Sequence, residues 1–165
     1  MNSPSRRTLL GSAAALLPLS GCSSFSGVQS SDGGPTETDA ATPDLREANV
    51  SAVAVEAQGD GRFRFDVTLY HDDAGEGGYA NWWQVETLDG DRLGRRDLLH
   101  AHGTEPFTRS ATVSVPDGVA CVVVRGHDQT HGYGGQAMVV SVSEGATTAI
   151  QQGSDRQGVD ERDCP

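Results

Sequence analysis

The sequence predicts an all-β protein, an immunoglobulin-like β-sandwich of about seven antiparallel strands. Two observations predict this fold class. In the middle of the chain, apolar residues alternate with polar ones, which is the two-residue repeat of a half-buried strand and not the 3.6-residue repeat of a helix. Turn-forming pairs such as Asp89-Gly90 and Asp117-Gly118 separate these segments at the spacing typical of a sandwich.

The predicted strands differ in how their apolar residues are arranged. In the second strand, Phe65 and Val67 alternate with charged residues, so one face of the strand is predicted to be exposed to solvent. The sixth strand is apolar throughout and is predicted to lie centrally, with Cys121 inside it. Trp82 and Trp83 point to opposite faces, so one of them is predicted to fill the core. In chain order, the strands are predicted at residues 53–55, 63–70, 82–88, 92–99, 109–115, 119–125 and 137–142.

An export signal with a lipobox is predicted at residues 1–22. The pair Arg6-Arg7, followed by a threonine and two leucines, matches the twin-arginine export signal. The apolar stretch that follows is too short to span a bilayer but has the length of a signal-peptide core. It ends in Leu19-Ser20-Gly21-Cys22, which matches a lipobox, so Cys22 is predicted to carry lipid. We therefore expect export by the twin-arginine route and anchoring to the outer face of the cell membrane through the lipid alone.

Two polar segments flank the predicted sandwich, which is assigned to residues 48–143. Residues 23–47 are rich in Ser, Thr, Asp and Gly and are predicted to form a flexible stalk, because they bury too little apolar surface to fold. Residues 144–165 are similarly polar and acidic and are predicted to be a disordered tail.

The charge composition excludes several partners. The chain of 165 residues carries 12 basic and 23 acidic side chains, a formal net charge of −11, and all 12 bases are arginine. Such a balance argues against nucleic acid, whose phosphates are bound by Lys and Arg, and against an anionic membrane surface as an electrostatic partner. It favours a halophilic source, since carboxylates hold water and salt screens their repulsion. An ordinary acidic secreted protein is the alternative.

The five histidines are the main candidates for chemistry, because all lie at strand ends or in loops. Imidazole and carboxylate groups suit iron or another transition metal. The candidate metal ligands are His71, His100, His102, His127, Asp128 and His131. The alternative is that these loop histidines bond backbone carbonyls and bind no metal.

The remaining reactive residues support no catalytic group. The sequence contains no Gly-x-Ser-x-Gly elbow, and no serine or cysteine is visibly paired with a histidine. Cys121 and Cys164 can form a disulfide outside the cell, but a buried, inert thiol at Cys121 is preferred. The arginines Arg95, Arg96 and Arg109 are expected to form solvated ion pairs with neighbouring carboxylates and not an anion clamp.

Four short segments resemble one known family. The segments are His71-Asp72-Asp73, Gly78-Tyr79-Ala80-Asn81-Trp82, Ala101-His102-Gly103 and residues 122–132. Their order resembles that of the motifs in the superoxide reductase (desulfoferrodoxin) iron domain. That family is an immunoglobulin-like sandwich whose iron is held by four imidazoles and one thiolate. The resemblance implies this fold and an iron-type site for this chain.

The resemblance carries over only part of the ligand set. His71 matches the first motif histidine and His131 the last. The second motif histidine falls on Gly77 or Gly78 and the cysteine on Asp128, so two ligands are absent. The family's lysine near the iron has no counterpart either. Because the thiolate tunes the iron, its absence implies that the fold is retained and superoxide chemistry is not.

Two functional hypotheses follow. The first is a lipid-anchored, extracytoplasmic sandwich that binds a metal in a degenerate superoxide-reductase-like site; if it is an enzyme, it is an oxidoreductase of that kind. The second is a non-catalytic binding or structural module of the cell envelope with no metal, whose partner, an envelope protein or a small molecule, is left open.

Overall fold

The computed structural model describes residues 42–72 and 75–165, which form nine β-strands and one short 3₁₀ turn. The predicted signal peptide, the predicted lipidation site Cys22 and the predicted stalk up to residue 41 lie outside these residues. Within the described ranges, no helix is long and apolar enough to cross a bilayer. The strands are β1 Asn49–Gly59, β2 Arg62–Tyr70, β3 Ala80–Thr87, β4 Arg92–Asp97, β5 Phe107–Ser114, β6 Cys121–Asp128, β7 Gly132–Tyr133, β8 Gln136–Ser141 and β9 Thr147–Gln151, and the 3₁₀ turn is Glu161–Asp163.

The strands pair into two antiparallel sheets, as predicted for a β-sandwich. The small sheet has the order β1-β2-β5, and the large sheet has the order β4-β3-β6-β8-β9, with β7 paired to β6. Strands β1, β2 and β5 therefore face strands β3, β4, β6 and β8, which is the immunoglobulin-like arrangement. All seven predicted strands are present; β7 and β9 are additional.

The core lies between the inward faces of the two sheets. On β2, the alternating residues Phe65, Val67 and Leu69 are fully buried, which matches the two-residue pattern of the sequence. On β3, Trp83 is fully buried in this core, so the prediction of one core tryptophan is confirmed. Trp82 lies on the opposite face of the same strand.

The prediction of a disordered tail at residues 144–165 is wrong. Strand β9 pairs antiparallel with β8, and a disulfide joins Cys121 to Cys164. Cys121 is therefore not the free thiol that was preferred. Residues 152–164, here called the C-terminal strap, run from the end of β9 to the start of β6 across the outer face of the large sheet.

The strap is ordered because the sheet beneath it is polar. Gln84, Glu86 and Arg125 point outward from β3 and β6, yet all three are buried. The Arg125 Nε donates to a carboxylate oxygen of Glu86 at 2.9 Å, and its Nη2 donates to the strap carbonyl of Gln157 at 2.8 Å. Arg156 of the strap reaches the same Glu86 oxygen at 3.0 Å. A polar segment can thus fold here, because it satisfies groups that would be costly to bury alone.

The domain also begins earlier than residue 48. The Asn49 side chain donates to the carbonyl oxygens of Asp44 and Glu47, at 2.7 and 2.8 Å. The backbone N–H of Asp72 donates to the carbonyl of Leu45 at 2.7 Å. Residues 44–47, which were assigned to the stalk, therefore belong to the folded unit.

Candidate functional site

All five histidines lie at one end of the sandwich. The pairing register shows this, because the end of β2 meets the start of β5 (Leu69 opposite Phe107) and the start of β3 meets the end of β6 (Ala80 opposite Asp128). The histidines are in or beside the loops that leave these strand ends; they are His71, His100, His102, His127 and His131. The structure divides them among three places.

His71 and His131 line one depression of about 300 Å³, together with Asp72 and Thr130. The His71 ring is buried, and its Nε2 donates to the backbone carbonyl of Arg46 at 3.0 Å. This bond ties the β2 end to the segment that precedes β1. The depression brings together the two positions that match the ends of the superoxide reductase ligand pattern.

Asp128 shapes the loop that carries His131. Its Oδ1 accepts the backbone N–H groups of Thr130 and His131, at 2.7 and 2.5 Å, and the residue is fully buried. This is the turn-forming role that aspartate commonly takes at the start of a loop. The His131 Nδ1 lies 3.4 Å from the same oxygen.

The described residues do not assemble a metal centre. Between residues 42 and 165, apart from residues 73 and 74, no group of three or more His, Cys, Asp or Glu side chains is placed to hold a metal ion. Of the six predicted ligands, His71 and His131 share one depression, and Asp128 supports the loop of the second. His100, His102 and His127 lie in two other groups.

The first of these groups is a row of planar side chains on the outer face of the large sheet. His127 stacks on Trp82 with ring centroids 4.2 Å apart, and the edge of Tyr133 meets both rings. On the other side, the Arg95 guanidinium lies 3.9 Å from the centre of the Trp82 ring. The His127 Nδ1 is 2.8 Å from the side-chain oxygen of Asn81. Burial lowers the pKa of His127 and nearby Arg95 lowers it further, while Asp128 opposes the shift.

The second group is a similar row at the start of β5. His102 stacks on Phe107 with ring centroids 4.1 Å apart, and His100 lies 4.7 Å beyond it. The rings of His100 and His102 are therefore neighbours. The Arg109 guanidinium lies 5.5 Å from the centre of the Phe107 ring. Each row therefore includes an arginine.

Both of these arginines line one open depression of about 450 Å³, here called the arginine pocket. It is formed by Arg95, Arg96, Asp97, Leu98, Leu99, His100, His102 and Arg109. Leu99 is 80% exposed at its rim. The expected ion pairs are absent: among the described residues, no carboxylate lies within ion-pair distance of these three guanidinium groups. The sequence did not predict that these three arginines line one pocket.

Comparison with known proteins finds a relative by sequence but no matching solved structure. No family model and no solved structure matches the chain. A protein of Halomicrobium mukohataei named “Putative lipoprotein” is 50% identical, over 98% of this chain and 98% of its own length. The chain belongs to this lipoprotein family. The lipoprotein interpretation of the N-terminus is thus supported, whereas no family match supports the superoxide reductase resemblance.

Proposed function

We propose that the protein is exported by the twin-arginine route, lipidated on Cys22 and held at the outer face of the cell membrane as a non-catalytic binding module. The observation that carries the proposal is membership of a lipoprotein family in a chain with Arg6-Arg7 and a lipobox in the correct order. The acid-rich, lysine-free composition supports a source that lives in concentrated salt.

Two features of the folded unit support this placement and role. The disulfide between Cys121 and Cys164 suits an oxidising compartment outside the cytoplasm. The loops at the histidine-bearing end are presented by a rigid sandwich, which is how such folds usually build binding sites. Because both described cysteines are in the disulfide, this part of the chain offers no thiol nucleophile.

Fractionation of cells that express the full chain tests the anchor. We expect the wild type in the membrane fraction and Cys22→Ser in the soluble or secreted fraction, because the lipid is the only anchor proposed. The control is Ser24→Ala, which lies just beyond the lipobox and should remain with the membrane. An Arg6→Lys, Arg7→Lys variant should accumulate in the cytoplasm. Membrane retention of Cys22→Ser would contradict the proposal.

A metal ion is the second candidate ligand, on the specific observation that His71 and His131 line one depression with Asp72. Its test is the metal content of the full-length protein after iron, zinc, copper or manganese has been offered in turn. One equivalent retained by the wild type and by His100→Ala, but lost in His131→Ala, would support a metal site. Less than about a tenth of an equivalent for every metal would reject it.

A further inference from the structure

The arginine pocket is positively charged, although the protein as a whole is strongly acidic. Three arginines and one acidic residue, Asp97, line it, which gives the lining residues a formal net charge of +2 with histidine counted as neutral. The whole chain has a formal charge of −11. The pocket lies where the edge strands β4 and β5 meet, so two different sheets supply its arginines.

The arginines of the pocket differ from others in the described part of the chain. Five of the ten arginines there form ion pairs, namely Arg46, Arg64, Arg125, Arg156 and Arg162. The other five have no carboxylate partner among the described residues, and three of these line this single pocket. In a chain with nearly twice as many acids as bases, such a gathering of unmatched cations favours an anion from outside the protein.

Two of the guanidinium groups are held in place. The Arg95 Nε and Nη2 donate to Oε1 of Gln84, at 3.1 and 2.6 Å, and its plane is supported by Trp82. The Arg109 Nη1 donates to the backbone carbonyl of Thr108 at 2.8 Å, beside the Phe107 ring. Each guanidinium keeps further N–H donors for a ligand. Fixing the donors in advance reduces the ordering cost of binding.

We propose that the arginine pocket binds a phosphate monoester with a small apolar or aromatic group. A phosphate monoester carries about −1.5 to −2 charges at neutral pH and three acceptor oxygens, which matches the charge of the pocket and its guanidinium donors. The exposed Leu99 side chain at the rim offers an apolar surface for the rest of the ligand. This assignment rests on the proposed binding role but not on the lipid anchor.

Calorimetric titration of the full-length protein in non-ionic detergent, with phenyl phosphate as the probe, tests the assignment. We expect saturable binding, and binding about tenfold weaker in Arg96→Gln and in Arg109→Gln, since each removes one charge-assisted contact. Arg62→Gln and Arg92→Gln are matched controls, because both residues also lack an ion pair among the described residues but lie outside the pocket. They should bind like the wild type. Benzoate, with the same ring and one charge, should bind about tenfold more weakly than phenyl phosphate.

Three results would overturn the assignment: no binding of phenyl phosphate by a folded wild type, equal binding by the pocket and control variants, or equal binding of benzoate. A melting curve for each variant shows that it is folded. The titration does not depend on where the protein is anchored. A failed Cys22→Ser fractionation would therefore reject the anchor alone, and a failed titration would reject the ligand alone.

Discussion

Two groups of arginines at the large sheet differ in their partners. Where the C-terminal strap covers the sheet, Arg125 of β6 and Arg156 of the strap both contact the carboxylate of Glu86, at 2.9 and 3.0 Å. In the arginine pocket, on the edge strand of the same sheet, Arg95 and Arg96 face solvent, and no described carboxylate pairs with them. In the first group, Arg125 and the Glu86 carboxylate are buried, whereas the arginines of the second group are exposed.

The difference lies in what covers each group. Glu86 and Arg125 are each about 1% exposed, so their charges must be satisfied within the protein. Burial lowers the pKa of Arg125, and the Glu86 carboxylate opposes that shift. Burial imposes no such requirement on Arg95 and Arg96, which are exposed to water. Matched arginines thus stabilise the fold, whereas unmatched ones remain available to a ligand, and the following predictions test that contrast.

The largest effect is expected for Arg125→Met. The substitution leaves Glu86 buried with only Arg156 and Gln84, so the free energy of unfolding should fall by about 3 kcal/mol or more. Denaturant unfolding at constant salt measures the change. Arg92→Gln, on the exposed edge strand, should change the stability by less than about 0.5 kcal/mol. A loss below about 1 kcal/mol in Arg125→Met would mean that the buried pair does not stabilise the fold.

A somewhat smaller loss is expected when the strap is released. The Cys121→Ser, Cys164→Ser variant removes a cross-link between residues separated by 43 positions and should lose about 2–4 kcal/mol. Thermal and denaturant unfolding provide the measurement. The wild type treated with a reductant should behave like the double variant. An unchanged Tm would show that strap contacts alone hold the segment in place.

Acidification should destabilise the protein through His127, which stacks on Trp82 at the outer face of the large sheet. Burial lowers the pKa of His127 below its ordinary value of 6.5, so the unfolded state takes up the proton first as the pH falls. The protein should therefore lose stability as the pH is lowered through about 6.5 toward the folded-state pKa. Tm measured from pH 7.5 to 5 should decline less steeply in His127→Gln than in the wild type. Parallel curves would rule out His127 as the source of the decline.

The smallest change in stability is expected in the pocket itself. The Arg96→Gln, Arg109→Gln variant removes two cations that no described carboxylate pairs, so the free energy of unfolding should stay within about 0.5 kcal/mol of wild type. Denaturant unfolding beside Arg125→Met makes the comparison direct. If this variant lost several kcal/mol of unfolding free energy, the pocket arginines would stabilise the fold as Arg125 is expected to, and the contrast between the two groups would be wrong.

The strands were predictable from the sequence because each has its own local pattern. Phe65, Val67 and Leu69 alternate, and β6 begins with four consecutive apolar residues, so no distant information was needed. The strap was not predictable, because its polar composition is that of a disordered segment. Its partners, Glu86 and Arg125, are charged residues that point away from the core, so the sequence indicates that they are exposed to solvent. Only the folded structure shows that the strap covers them.

The candidate site was predictable in part. The sequence placed the histidines at strand ends or in loops, but only the pairing of the strands brings them to one end and divides them among three places. The ion pairs expected for Arg95, Arg96 and Arg109 are absent. Asp97 lines the same pocket, yet neither it nor any other described carboxylate lies within ion-pair distance of these arginines, and closeness along the chain alone could not show this.

The disulfide has a consequence for proteolysis. Because Cys121 and Cys164 are joined, the strands β6 to β9 and the strap form one covalent loop. A protease that cuts once within it, for example at the exposed turn of Ser143 and Glu144, leaves both fragments attached to each other. The folded unit then stays in one piece after its first cut, and the nick becomes visible only when the sulfurs are reduced.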